Sequence, residues 1–310
     1  MSDSPDVSVV TSVYNGAARL RETIESILCQ ERIDLELIIV NDGSTDGSEK
    51  ILESYAALDR RVRVVTQENQ GLTRALIRGC AAAKGKCIAR QDAGDISLPG
   101  RLAKQLDCVS QNPDFAFVSC GTRFVGPKGE HLYDVRPEAA EAMSRLLTLE
   151  LREIKGPSHH GSTMFRRDDY DRVGGYRPEF YFAQDLDLWI RLAERGTLLV
   201  MPEVLYEAAV SVESLSGLYR KEQIEMTRMI LECAHLRRSG QSEAPALAKA
   251  ALIRPRAKGR RNRLRRARAL YFIGACLNRK HDPQARDYFR QALRAFPLHL
   301  KSAARLFFGG

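Results

Sequence analysis

The chain has 310 residues, 44% of them apolar and 28% charged, with a formal net charge of +9. That length and apolar share suffice for a full α/β catalytic domain with a smaller appendage, which sets disorder aside, and the positive balance suits an anionic partner. No apolar run approaches the roughly eighteen residues of a membrane span, residues 1–7 lack the regions of a secretory signal, and the seven scattered cysteines show no CxxC spacing. A cytoplasmic chain with buried, reduced thiols is expected.

Val7 to Val13 is a β-branched run that ends at Tyr14-Asn15-Gly16, a turn signature, and predicts a first strand. Leu20, Ile24, Ile27 and Leu28 follow at helical spacing. Leu35 to Val40 is almost continuously apolar and reads as a strand covered on both faces, as in a parallel sheet between helices. Strand, helix and strand form one right-handed crossover, so both strand ends face the same way. Ser12, Tyr14 and Asp42 then meet over one edge of the sheet, where open α/β sheets bind ligands, and offer a flat ring and polar groups to a planar base. Capping of the helix Asp46 to Leu58 is the competing role for Asp42 and Ser44.

A third strand, Val62 to Thr66, runs into Gln67-Glu68-Asn69-Gln70-Gly71, and the helix Leu72 to Ala83 stops ahead of Gly85. The strand Lys86 to Arg90 delivers Gln91-Asp92-Ala93-Gly94-Asp95, after which a helix starts at Gly100 or Arg101. Two carboxylates in so small a site repel one another unless a cation intervenes. Hard oxygen ligands beside an anionic substrate suit Mg²⁺ or Mn²⁺, with a helix-capping acidic turn as the alternative.

Phe115 to Cys120 predicts another strand, Thr122 to Asp134 a hairpin connection around Gly126 and Gly129, and Ala139 to Leu149 a helix. His159 and His160 precede the strand Thr163 to Phe165; without a second ligand cluster, packing or hydrogen bonding is expected of at least one of them rather than zinc. From Asp185 the residues Leu186, Trp189, Ile190 and Ala193 make a helical apolar stripe that Gly196 ends. Asp185 sits at the amino end, where the macrodipole favours an ionised carboxylate able to act as a base; a plain N-cap is the competing role. Asp187 points elsewhere and reads as structural. Leu198 to Pro202 and Val204 to Val210 read as two closing strands.

Beyond Ser211 the pattern turns helical: Leu218 to Leu236, a polar linker at Ser239 to Ser242, then Arg268 to Asn278 and Pro283 to Phe296 as an antiparallel pair ahead of Leu298 to Phe308. Nine of the fifteen residues from Arg254 to Arg268 are Arg or Lys, a solvated basic face. Leu306, Phe307 and Phe308 beside that charge suggest weak contact with anionic lipid at the cytoplasmic face of a membrane. Docking of the helices on the catalytic domain, on another subunit as a homo-oligomer, or on a membrane surface is open to this pattern.

The segments VSVVTSVYNGAARLRETIESILCQ, LELIIVNDGSTDGS, QENQGLTRAL and ARQDAGDISLPGRLAKQ resemble, in order and spacing, the amino-terminal half of glycosyltransferase family 2. HHGSTMFRR and AQDLDLWIRLAERG resemble its acceptor-side segments, so the likeness covers roughly residues 5 to 210. It implies an α/β fold of GT-A type, a Rossmann-like mixed sheet flanked by helices over residues 1–212. The nucleotide-binding half would be about 1–100 and the acceptor half about 101–212, with a helical region 213–310 carrying the basic segment 254–268. It further implies inverting transfer of a sugar from a UDP-type donor to a hydroxyl of a glycan or lipid-linked acceptor in surface polysaccharide synthesis. Ser12, Tyr14, Asp42, Asn69 and Asp92 would hold the nucleotide, Asp92 and Asp95 the Mg²⁺ or Mn²⁺, and Asp185 would be the base. His160, Gln184 and Trp189 would contact the donor sugar or acceptor. Two positions depart from the family: Gly94 at the third place of its usual Asp-Ala-Asp-Asp, and Gln184 where Glu is usual.

Other classes fit less well. A dinucleotide-dependent oxidoreductase calls for GxGxxG after the first strand, where this chain has SVYNGA. No motif of a nucleic-acid binder accompanies the basic run, so nucleic acid is not an expected partner. A glycosyltransferase-like scaffold without activity is the alternative that Gly94 and Gln184 raise.

Overall fold

Four strands, β1 (Val7–Val13), β2 (Leu35–Asp42), β3 (Val62–Gln67) and β4 (Cys87–Asp92), lie parallel in the order β3-β2-β1-β4. They belong to a computed structural model that describes residues 4–212, 219–255 and 261–307. The helices α1 (Ala17–Leu28), α2 (Ser48–Leu58) and α3 (Leu72–Ala81) make the crossovers. All eight positions of β2 are buried, as its apolar run requires of a strand with helices on both faces. Close approach of α3 depends on Gly79, where a Cβ would come within 2.6 Å of Val10 Cγ1. In register, Ser12 stands beside Val40 on one side and Asp92 on the other, so the carboxyl ends of β2, β1 and β4 open along one edge.

The buried set of β2 includes one charge that its pattern did not flag. Glu36 is 7% exposed and accepts from Ser8 Oγ (2.6 Å), the Lys84 amide (2.7 Å) and Arg63 Nη1 (2.9 Å). Burial pushes its carboxyl up, and these donors outweigh that and hold it below its ordinary value.

The sheet continues from β4 through β8 (Met164–Arg166), β6 (Phe115–Val125) and β9 (Thr197–Ala209) to β5 (Ile96–Ser97), with β7 (His131–Val135) paired to β6. Strand β8 is antiparallel to both β4 and β6, and β5 to β9, so the sheet is mixed. Helices α4 (Arg101–Gln111), α5 (Ala139–Leu147), α6 (Arg167–Arg172) and α7 (Gln184–Ala193) complete this part. The two closing strands expected around Pro202 are one strand of 13 residues. Pro202 and Glu203 are exposed there, and a proline without an N–H is tolerated where a strand faces solvent.

After Ala209 the described helices are Arg220–Arg238, Ala244–Ala250, Arg261–Asn278, Ala285–Ala295 and Leu300–Phe307. Leu218, Phe308 and residues 256–260 of the basic run lie outside the described residues. Two compact units interleave along the chain: one takes residues 1–122, 135–208 and 225–253, the other 123–134, 209–224 and 254–310. Within the first, Asp187 is structural, as its position on α7 suggests: it is 1% exposed and accepts from Arg177 Nε (3.0 Å) and Arg191 Nη2 (2.6 Å). Within the second, Leu270, Ile273 and Leu277 pack on Tyr288, Phe289 and Ala292, with Gly274 letting Phe289 approach. Leu306 packs against that core, which removes it from the lipid-facing set expected of the carboxyl end.

Candidate active site

The carboxyl edge of the parallel strands is shaped by backbone turns that small and polar residues permit. Gly43 takes φ +73°, and a Cβ there would come within 2.8 Å of the Asn69 amide, so the turn after β2 lies directly on the segment 67–71. Asp42 stitches the two together: its Oδ1 accepts from Gln67 Nε2 (2.7 Å) and the Gln70 amide (2.9 Å), and its Oδ2 from the Gly71 amide (2.9 Å). The N-cap of α2 is Gly47, without a side-chain cap, and Asp46 ahead of it accepts from the Ser48 amide (2.9 Å) and the Ala17 amide (3.0 Å). Asn15, at φ +53°, accepts from the Thr45 amide (2.7 Å) and donates its own amide to Ser44 Oγ (3.0 Å). That bond network turns Tyr14 outward, 55% exposed, with half-buried Ser12 behind it and exposed Asn69 across the turn.

At the end of β4 two arginines with no exposed surface stand behind the acidic turn. Arg90 donates to the Val10 carbonyl, to Asp92 Oδ1 (2.6 Å) and to His160 Nε2 (3.4 Å). Arg101 donates to Gln91 Oε1 (2.9 Å), Ser97 Oγ (2.9 Å) and the Arg90 carbonyl (2.7 Å), with its guanidinium 5.0 Å above the Tyr206 ring centroid. The Tyr206 hydroxyl donates to Asp95 Oδ2 (2.9 Å) and accepts from the Asp92 amide (3.1 Å). Burial opposes ionisation of Asp92, and Arg90 with the neighbouring cations overrides it, leaving that carboxyl below its ordinary value.

Of the paired histidines, His159 is the one that joins the carboxylates. Its Nδ1 lies 3.8 Å from Asp92 Oδ2 and 3.7 Å from Asp95 Oδ2. Asp92, Asp95 and His159 are the group among the described residues whose donor atoms converge closely enough for one cation. Their donor set, two carboxylate oxygens and one imidazole nitrogen, fits a divalent ion of the Mn²⁺ kind. His160 is buried behind them: its Nε2 meets the Tyr176 hydroxyl (2.7 Å) and the Arg90 guanidinium. Burial and Arg90 push its pKa down to about 3, so it is a neutral packing group, with Trp189 edge-on at 6.0 Å between centroids.

Ala183, at φ +52°, ψ 28°, turns the chain into α7 through a left-handed conformation that costs a residue with a Cβ about 1–2 kcal/mol. That turn sets half-buried Asp185 in the first turn of the helix beside buried Gln184. Its carboxyl is raised, by burial first and then by the charge of Asp92, with the Leu186 amide opposing through a 2.9 Å bond to Oδ1. The helix terminus favours ionisation, and desolvation with a like charge acts against it, so the carboxyl lies above its ordinary value. The influence of Asp92 on it puts Asp185 in the field of the Asp92 turn, although 93 positions (185 − 92) separate them in sequence. Trp189 is 6% exposed, and Gly156 lies against its ring, where a Cβ would come within 2.5 Å.

The sequence model of Glycosyl transferase family 2 matches residues 8–174. The chain belongs to this family. It is therefore an enzyme that transfers glycosyl groups, built on a GT-A fold with a helical carboxyl-terminal part. EpsE of Bacillus subtilis, named as a glycosyltransferase, is 34% identical over 201 residues, covering 63% of this chain and 69% of EpsE. The O-antigen biosynthesis glycosyltransferase WbnJ of Escherichia coli is 33% identical over 187 residues, 60% of this chain and 71% of WbnJ. Among solved structures, the mannosyltransferase PcManGT from Pyrobaculum calidifontis in complex with GDP-Man and Mn²⁺ superposes with a TM-score of 0.57 at 18% identity, over 99% of this chain and 88% of that one. S. aureus TarS in complex with UDP gives 0.55 at 16%, over 97% and 88%.

Residues 156–162, Arg90, Arg101 and Tyr206 complete a site that sequence patterns only partly announced. No helix among the described residues is long and apolar enough to cross a membrane.

Proposed function

We propose that this glycosyltransferase moves a sugar from a UDP-type donor, with inversion, to a hydroxyl of a glycan or lipid-linked acceptor in surface polysaccharide synthesis. The observation that carries the reading is the convergence of Asp92, Asp95 and His159 donor atoms at the carboxyl end of β4, with Asp185, at the amino end of α7, feeling the charge of Asp92. Tyr14 offers its face to the base, and Ser12 and Asn69 flank it. Asp42 acts by holding the Gln67–Gly71 segment in place around the nucleotide.

Asp92 and Asp95 would hold the Mg²⁺ or Mn²⁺ that the family implies. Such an ion, when bound, neutralises the charge growing on a departing diphosphate, an interaction stronger in the transition state than in the ground state. Asp185 takes the proton from the acceptor hydroxyl as that oxygen attacks the anomeric carbon from the face opposite the leaving group. A carboxyl raised by burial holds that proton better than an ordinary aspartate does. Gln184 and Trp189 line the approach from α7, and His160 supports it from behind through Arg90.

A panel of sugar nucleotides scored for diphosphonucleoside release, including UDP-sugars and GDP-mannose, tests the donor class; release from GDP-mannose alone would reject the UDP assignment. Membrane contact is proposed for the second unit, where Leu298 and Leu300 are exposed by 75% and 79% and Arg263, Arg266 and Arg294 line one hollow. Absence of flotation with anionic liposomes at low salt would remove that contact.

A further inference from the structure

Gly94 stands where the family usually has a carboxylate, and its φ of +99° lies in the half of conformational space that other residues rarely enter. A Cβ at this position would meet nothing within 4 Å, so backbone conformation, not space, keeps a side chain from it. His159 reaches the same two aspartates from a segment more than sixty positions further along the chain (159 − 94 = 65). Its ring is fixed in two ways. The Gly161 amide donates to Nδ1 at 3.1 Å, which puts a lone pair on that nitrogen and the ring proton on Nε2. The ring face also stacks on Tyr206, with centroids 5.4 Å apart and planes 26° from parallel.

Tyr206 is bonded to both aspartates, through Asp95 Oδ2 and the Asp92 amide, so one side chain sets the register of all three groups. Arg90 occupies Asp92 Oδ1, and the oxygen that faces His159 is Oδ2.

We propose that His159 Nδ1 is the third protein ligand of the cation, in the role that Gly94 leaves without a side chain, and that this nitrogen makes the centre select Mn²⁺ over Mg²⁺. The inference rests on the metal-assisted reading above and adds to it the ligand and the preference. Mg²⁺ is the harder ion and sheds water reluctantly, whereas Mn²⁺, a first-row transition ion that also suits carboxylates, gains more from a nitrogen donor. On binding, the ion takes the lone pair that the Gly161 amide holds.

The test loads the full chain with Mn²⁺, with and without UDP, and reads nitrogen modulation of the electron spin echo, with Mg²⁺ competition measured alongside. Imidazole modulation is expected in the unaltered protein and absent in His159→Gln. Mn²⁺ affinity should fall by about tenfold or more in that variant, since even outer-shell partners of metal ligands change affinity that far, while Mg²⁺ affinity moves much less. His159→Asp should narrow the Mn²⁺ preference. Failure to bind Mn²⁺, bound Mn²⁺ without nitrogen modulation in the unaltered protein, or an unchanged Mn²⁺ to Mg²⁺ ratio in His159→Gln overturns the assignment. Nitrogen-bound Mn²⁺ in a protein that ignores UDP upholds it and counts against the donor reading instead; UDP binding with oxygen-only Mn²⁺ does the reverse.

Discussion

Replacing Asp42 by Asn isolates what that carboxylate does at the edge of the sheet. It accepts three hydrogen bonds, from the Gln67 side chain and from the amides of Gln70 and Gly71, and it is 2% exposed. An asparagine keeps one acceptor oxygen, and its NH₂ must face either the Gly71 N–H or the two donors on the other side. One side of the stitch therefore becomes donor against donor, and the bonds that survive lose their charge assistance. Bonds to charged groups contribute about 1.5–3 kcal/mol against about 0.5–1.5 for neutral ones, so the expected loss is about 2–3 kcal/mol. At about 2–4 °C per kcal/mol for a domain of this class, the melting temperature should drop by roughly 4–12 °C if the loss is felt globally. If the segment opens locally, exchange of the Gln70 and Gly71 amides should accelerate by about tenfold or more, because each 1.36 kcal/mol is a factor of ten. Amide exchange by mass spectrometry with denaturant melts distinguishes these outcomes. Unchanged exchange at both amides, with an unchanged midpoint, refutes the claim that Asp42 holds this segment.

Asp185→Asn should lower the rate of sugar transfer by about a hundredfold or more, with UDP affinity by calorimetry nearly unchanged; retained turnover would take Asp185 out of the mechanism. Glu36 has a depressed folded pKa, so its contribution is complete above the ordinary carboxyl value of 4.5 and is lost as pH falls through the lower folded value. Glu36→Gln should cost about 2 kcal/mol at pH 7 through weakened bonds to Ser8, Lys84 and Arg63. The variant should also show a shallower loss of stability than the unaltered protein between pH 5 and pH 3, roughly the window of carboxyl titration, in urea melts. Gly161→Ala places a Cβ 1.8 Å from the Tyr206 hydroxyl, which must move off Asp95 and the Asp92 amide. Overpacking of this kind costs about 1–3 kcal/mol, and Mn²⁺ titration should weaken along with the melting temperature.

What sequence made legible was local. The runs of β1, β2 and β4, and the polar turns that end them, carry their own patterns, and parallel pairing then brings Ser12 and Asp92 side by side without further information. The histidine pair shows where that stops. His159 is extended, at φ −156°, ψ 145°, so it and its neighbour point to opposite sides, and spacing cannot say which side holds the aspartates. A hint lay in Gly161, whose missing side chain makes room for Tyr206, but nothing in the pattern of β9 marks Tyr206 as its partner. Glu36, Arg90 and Arg101 were also hidden, since charged residues read as surface until their buried partners are known. Asp42 is legible as a strand-end carboxylate, whereas its bonds to the segment 67–71 are not, because two of its three donors are backbone amides that no composition reveals.

The two buried arginines explain how acids can crowd this edge. Asp92, Asp95 and Asp185 would each drive up the others' affinity for protons if burial acted alone. Arg90 meets Asp92 at 2.6 Å, whereas Arg101 bonds to neutral acceptors, the side chains of Gln91, Ser97 and Gln105 and a carbonyl. Burial lowers the Arg101 pKa from its ordinary value, with Cys120, Tyr206 and Asp95 acting against that, and its guanidinium lies over the Tyr206 ring whose hydroxyl bonds Asp95. Desolvation of both cations is met when the chain folds, not when a ligand arrives. Asp92 thus has its ionised form favoured and both aspartates are oriented before any ligand arrives, while Asp185 has a carboxyl raised by burial, its Oδ1 accepting from the Leu186 amide. On the proposed reading, contact with the Arg90 guanidinium separates Asp92, whose charge is favoured, from Asp185, whose affinity for a proton is raised.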